Sequence, residues 1–169
     1  MDLSDAESAA GSIGPSISLR IADFWLRHEH DGFTPNPRAS VHDEIKRLAA
    51  SKGWDYSTMM KRRKEALAAE VALHDDGRDR LDQWQQLCVE VGVADLENVP
   101  KSIRACRKAL REVRINICNL LDHRRNPQTT PLHRFDSFCA LSVYTRKHRI
   151  FPKDVAKRGG PLRGLLRTI

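Results

Sequence analysis

Between Pro100 and Arg125 the apolar residues Ile103, Cys106, Leu110, Val113, Ile117 and Leu120 recur at alternating three- and four-residue steps. That period draws a stripe along one face of an α-helix, and the spacing predicts a long amphipathic helix over the whole stretch. Placed at about 100° per residue, Arg104, Arg107, Lys108, Arg111 and Arg114 fall on an adjoining arc that none of these apolar residues enters. One helix can therefore serve a core and present a positive ridge. A chain so organised is expected to wrap its remaining elements around this helix.

The rest of the sequence supplies helices for that purpose. Leu19, Ile21, Ala22, Phe24, Trp25 and Leu26 crowd a first segment that is apolar on more than one side, with Phe24 or Trp25 as its anchor. Asp31-Gly32-Phe33-Thr34-Pro35-Asn36-Pro37 is a loop, because two prolines without amide donors exclude a helix, and Phe33 is expected to tuck inward. Ser40 caps a second helix with Asp43 and Glu44 in its first turn, and Gly53 ends it. A third helix is expected from Asp55, with Tyr56, Met59, Met60, Leu67 and Val71 inward. His74-Asp75-Asp76-Gly77 breaks the chain. Leu81, Trp84, Leu87, Cys88 and Val91 trace a fourth helix up to Gly92. Pro100 suits the first turn of the central helix, and Asn126-Pro127 closes it. Phe135, Phe138, Leu141, Val143 and Tyr144 mark another helix capped by Asp136 or Ser137. Beyond Phe151-Pro152 and Gly159-Gly160-Pro161, the residues Leu162, Leu165, Leu166 and Ile169 form a last apolar helix.

No stretch alternates with the two-residue period of a strand over a useful length. The fold expected is all-α, a single compact bundle of about six to eight helices around the central one. Residues 17–169 would form that domain, and residues 1–16, rich in Ser, Ala, Gly and Asp without a periodic apolar face, would be a disordered tail.

Charge divides the chain unevenly. The net charge is +7, but Met1 to Pro100 carries 12 Lys and Arg against 18 Asp and Glu, and Lys101 to Ile169 carries 17 against 4. A basic half of this kind suits a polyanionic partner, an acidic half of the same domain, or plain solvation. No apolar run approaches the roughly 18 residues of a membrane span, and the acidic N-terminus reads as neither a secretory signal nor a transit peptide. An intracellular address is expected, nuclear or cytoplasmic. Lys61-Arg62-Arg63-Lys64 matches a short nuclear-localisation pattern that a solvated helix face also satisfies.

Reactive chemistry has little support. Cys88, Cys106, Cys118 and Cys139 form no C-x-x-C pair, and each falls among apolar residues, as buried free thiols in a reducing compartment do. His28-Glu29-His30-Asp31 lacks the spacing that brings helical side chains together on a metal. Ser137, His133 and Asp136 can be written as a triad, but such triplets arise by chance. The Gly159-Gly160 pair lacks the phosphate-loop spacing. No catalytic residue, metal ligand or cofactor is therefore expected.

Several segments taken in order resemble an uncharacterised helical domain that recurs in proteins of filamentous fungi. They are Phe33 ahead of Pro35-Asn36-Pro37-Arg38-Ala39, Glu44 to Leu48 leading to Gly53-Trp54, Leu81 to Cys88, Pro100 to Leu110, and Val113 to Ile117 before Leu120-Leu121-Asp122. Tyr144-Thr145, Phe151-Pro152 and Leu162 to Ile169 complete the series. The resemblance covers nearly all of Leu19 to Ile169. It implies a helical fold and a fungal origin, and it transfers no activity or site residue.

Two binding functions fit these observations better than catalysis does. A protein-interaction module with an unknown protein partner demands the least. The alternative is sequence-tolerant binding of nucleic acid or another polyanion through Arg104, Arg107, Lys108, Arg111, Arg114, Arg124 and Arg125, joined by Arg146, Lys147 and Arg149. No membrane partner is expected.

Overall fold

The computed structural model describes residues 18–73, 80–158 and 160–166. The tail expected over residues 1–16 and the break at His74 to Gly77 lie outside them. Among the described residues eight α-helices follow one another: α1 (Ser18–His30), α2 (Val41–Lys52), α3 (Tyr56–Leu73), α4 (Arg80–Glu90), α5 (Ile103–Leu110), α6 (Ile117–Arg125), α7 (Phe138–His148) and α8 (Lys153–Arg158). A 3-10 turn over Gly160–Leu165 closes the described chain, and no strand occurs among the described residues. The fold is all-α.

Local chemistry sets the helix ends. The Ser40 hydroxyl accepts from the Asp43 amide and donates to the Asp43 carboxylate, so a first-turn donor left over by the helix is satisfied at once. Gly53 ends α2 at φ 64, a left-handed conformation that glycine adopts without a Cβ penalty. Ser102 and Ser137 cap α5 and α7 through the amides of Ala105 and Ala140. Pro100 thus precedes the helix start instead of forming its first turn.

The long helix expected from Pro100 to Arg125 is two helices. After Leu110 the chain turns and runs extended through Val113, Arg114 and Ile115, and α6 starts afresh under Asn116, whose side chain accepts from the amides of Cys118 and Asn119. Ile115, Asn116, Ile117 and Cys118 are buried one after another, more than a single helical stripe can turn inward, and the Asn116 side chain caps a new helix at this point. The Arg114 carbonyl, freed from a helix, accepts from the Phe135 amide at 2.9 Å.

α3 packs against α1 and α2 on one side and α8 on another, while α4 packs on α5 and the 3-10 turn. α6 runs through the interior with Ile117, Cys118, Leu120, Leu121 and Asp122 buried. Phe24, Ile45, Leu48, Leu67, Trp84, Leu110, Leu120, Phe151 and Leu165 all belong to one core. Other inward expectations fail. Tyr56 is 73% exposed, and Met60, Phe138, Val143 and Cys139 also face outward. The closing apolar helix is the 3-10 turn, which buries Leu162 and Leu165, and Ile169 lies outside the described residues.

Candidate functional site

The arginines expected on one ridge meet different fates. Arg104, Arg107, Lys108 and Arg111 stand on the exposed face of α5 and its C-cap. Positions i, i+3, i+4 and i+7 of a helix share one side, so this part of the arc survives the break. Arg114 lies past the end of α5, half-buried, with its guanidinium 5.8 Å from the Phe138 ring.

Arg124 and Arg125 do not join that face. Arg124 grips Glu90 of α4 with two hydrogen bonds of 2.7 and 2.6 Å. Arg125, whose side chain is 7% exposed, pairs with Glu70 of α3 and donates to the carbonyls of Ala39 and Asn36. Glu70 also accepts from the Trp25 indole, and its burial pushes its pKa up against the pull of Arg125. Arg149 pairs with Asp122, which accepts from the Val41 amide through its other oxygen. These three arginines hold elements together. A charge already paired and partly desolvated is poorly placed for phosphate.

The basic run in α3 divides in the same way. Arg63 is buried and donates to the Ile150 carbonyl and the Cys118 sulfur, while Arg62 pairs with Glu65 and Lys64 with Asp154. Only part of the expected solvated face is solvent-facing.

A second feature has no counterpart in the sequence reading. An apolar groove of about 330 Å³ opens between the start of α6, α7, the start of α8 and the end of the 3-10 turn. Ile115, Ile117, Leu141, Ile150, Phe151, Pro152, Leu165 and Leu166 line it with Asn116 and Thr145. Its charged lining residues are Arg146 and Lys153, both exposed and both positive. Asn116 donates to the Thr145 hydroxyl and the Arg149 carbonyl at 3.0 Å, which satisfies the polar groups of the wall and leaves its apolar surface as the binding element. Ile150 is 61% exposed at the rim.

The Ser137 hydroxyl accepts from the Ala140 amide at the start of α7, and His133 sets its ring edge-on to Phe135. Among the described residues no group of three or more His, Cys, Asp or Glu is placed to hold a metal, and no helix is long and apolar enough to cross a membrane. Burial, followed by the neighbouring Cys106, pushes the Cys88 thiol up to about 12, and burial takes Cys118 to about 11. Thiols held protonated in this way pack as small apolar groups. No family model, curated protein or solved structure matches the chain.

Proposed function

We propose that this protein is an intracellular interaction module that takes an acidic, amphipathic helical segment of a partner protein into the groove beside α7. The observation that carries this reading is the pairing of an apolar floor with a rim whose charges are both positive. A helix with apolar residues at i, i+3 and i+7 fills such a floor, and carboxylates on its flanks meet Arg146 and Lys153. Kinship with the helical domains of filamentous fungi belongs to the same reading and rests on the sequence segments that follow one another from Phe33 to Ile169. A nuclear address draws little support from Lys61 to Lys64, because Arg63 is buried and Arg62 and Lys64 stand in ion pairs with Glu65 and Asp154.

Fluorescence anisotropy tests the groove. The probe is a labelled helical peptide with Leu at i, i+3 and i+7 and Glu elsewhere, compared with its Lys counterpart. The acidic peptide is expected to bind more tightly, and Ile150→Glu or the pair Arg146→Glu and Lys153→Glu to weaken it by about tenfold or more. Equal binding of the two peptides, or indifference to these variants, rejects the reading. A homodimer seen by sedimentation and abolished by Ile150→Glu would assign the groove to a second copy of the chain instead.

The exposed row of Arg104, Arg107, Lys108 and Arg111 favours a second reading, sequence-tolerant polyanion binding. It requires that affinity for a labelled duplex fall steeply with salt and drop when these residues are changed to Gln. Absence of binding at low salt ends it.

A further inference from the structure

Arg107 of α5 and Arg163 of the 3-10 turn converge around a single ring, and Arg80 of α4 stands close enough for its charge to act on Arg163. The Arg107 and Arg163 guanidinium carbons lie 5.1 and 5.6 Å from the ring centroid of Trp84, a side chain only 1% exposed. Close packing brings them there. A Cβ at Gly164 would stand 2.9 Å from the Trp84 ring and 3.1 Å from Leu110, so the 3-10 turn reaches α4 and α5 only because that position carries no side chain. Arg163 is thereby delivered beside Arg107.

Electrostatics gives this convergence its meaning. Desolvation first, then the positive charges of Arg107 and Arg80, push the Arg163 pKa below the usual arginine range, and among the described residues no carboxylate pulls it back. The contrast with Arg124, Arg125 and Arg149 is direct, since each of those has a carboxylate. A ring face attracts a guanidinium through its quadrupole, and it neutralises nothing. Three guanidinium groups whose charges act together, with no carboxylate acting on Arg163 among the described residues, form a place where one added anion is stabilised by all three, through donors already arranged in planar forks.

We propose that Arg80, Arg107 and Arg163 form a binding site for a compact, multiply charged phosphate group, a diphosphate or a phosphate monoester, at the edge of the Trp84 ring. Convergence selects a compact ligand, because an extended polyanion is better met by a row such as Arg104 to Arg111. The site is independent of the apolar groove and shares only Arg107 with the ridge.

Isothermal titration of the full chain with inorganic pyrophosphate at low salt is the test. One saturable site is expected. Arg163→Gln and Arg80→Gln should each weaken it by about tenfold or more, the loss of a charge-assisted hydrogen bond. Arg163→Lys keeps the charge without the fork and should fall between. The double change Arg104→Gln, Lys108→Gln alters only the general field and should cost less than about threefold. Pyrophosphate should also raise the melting temperature of the wild type and not that of Arg163→Gln, a difference that a purely structural arginine would not produce. Should Arg163→Gln fail to fold, Arg80→Gln, exposed at the start of α4, carries the test. Competition by phosphatidic acid vesicles would assign the phosphate to a membrane headgroup, and competition by soluble phosphate alone to a free ligand. The proposal is overturned by the absence of saturable heat, or by equal losses in Arg163→Gln and the ridge variant. A blunt duplex without terminal phosphates that displaces pyrophosphate through the same arginines would also overturn it.

Discussion

α5 and α6 share an apolar stripe and a run of arginines, yet one is a surface helix and the other an interior one. On α5 the cations point to solvent, with Arg107 over the edge of the core at Trp84. On α6 they reach back into the acidic half of the chain, to Glu90 and Glu70. Carboxylates from α4 and α3 pair with Arg124 and Arg125 of α6, whereas Arg104, Arg107 and Lys108 of α5 stand exposed. Basic sequence therefore has two separate meanings here, and Arg124 and Arg125 are the arginines that tie the basic half to the acidic one.

This comparison breaks most sharply at Arg125. Replacing Arg125 by Ala leaves Glu70 buried without its cation and should cost about 3–5 kcal/mol, measured by urea denaturation. A loss below 1 kcal/mol would place α6 in the same class as α5. Leu110→Ala comes next, at about 2–5 kcal/mol, because Leu110 is fully buried and the Trp84 and Gly164 packing around it leaves little room to collapse. A near-neutral result would mean that α5 is held by less than its stripe suggests.

Asn116 separates the two helices, and Asn116→Ala should cost about 1–3 kcal/mol by removing an N-cap and two buried donors at once. If the variant were instead stabilised, the two helices would have merged, which a rise in helical circular dichroism would reveal. This residue also marks where sequence reading succeeds and fails. Ser40, Gly53 and Ser137 are readable because a cap is a local event, settled within three or four residues. The break before Asn116 was readable in principle from β-branched residues alternating at Val113, Ile115 and Ile117, but the longer helical period over Ile103 to Leu120 masks it. Arg124 and Arg125 were not readable, since their partners stand 34 and 55 residues away and only tertiary packing selects them. The groove and the meeting of Arg107 with Arg163 over Trp84 are hidden for the same reason, each being assembled from distant elements.

Acid should loosen the α1 side before the α5 side. His28 lies edge-on to Phe24 and Trp54, and burial, the leading influence, lowers its pKa from 6.5 despite Asp31. A histidine with a depressed folded pKa supports stability above the unfolded value and withdraws it as pH falls through the folded one. The melting temperature should therefore decline as pH drops below 6.5, with a smaller decline in His28→Asn. An unchanged slope in that variant would move the effect to His42, whose pKa is lowered by burial and then by Lys46.

Arg104→Gln with Lys108→Gln removes two exposed cations from α5 and should shift the melting temperature by less than about 2 °C. The same two-charge change made at Arg124 and Arg125 should unfold a large fraction of the protein, although both pairs of residues flank one apparent stripe. Burial of the partner, and not the count of charges, decides the outcome, because an exposed cation exchanges little when it is lost and a desolvated carboxylate left behind exchanges a great deal. If the α5 pair also proved costly, its cations would have acidic partners after all, and a stability that falls with added salt would expose them.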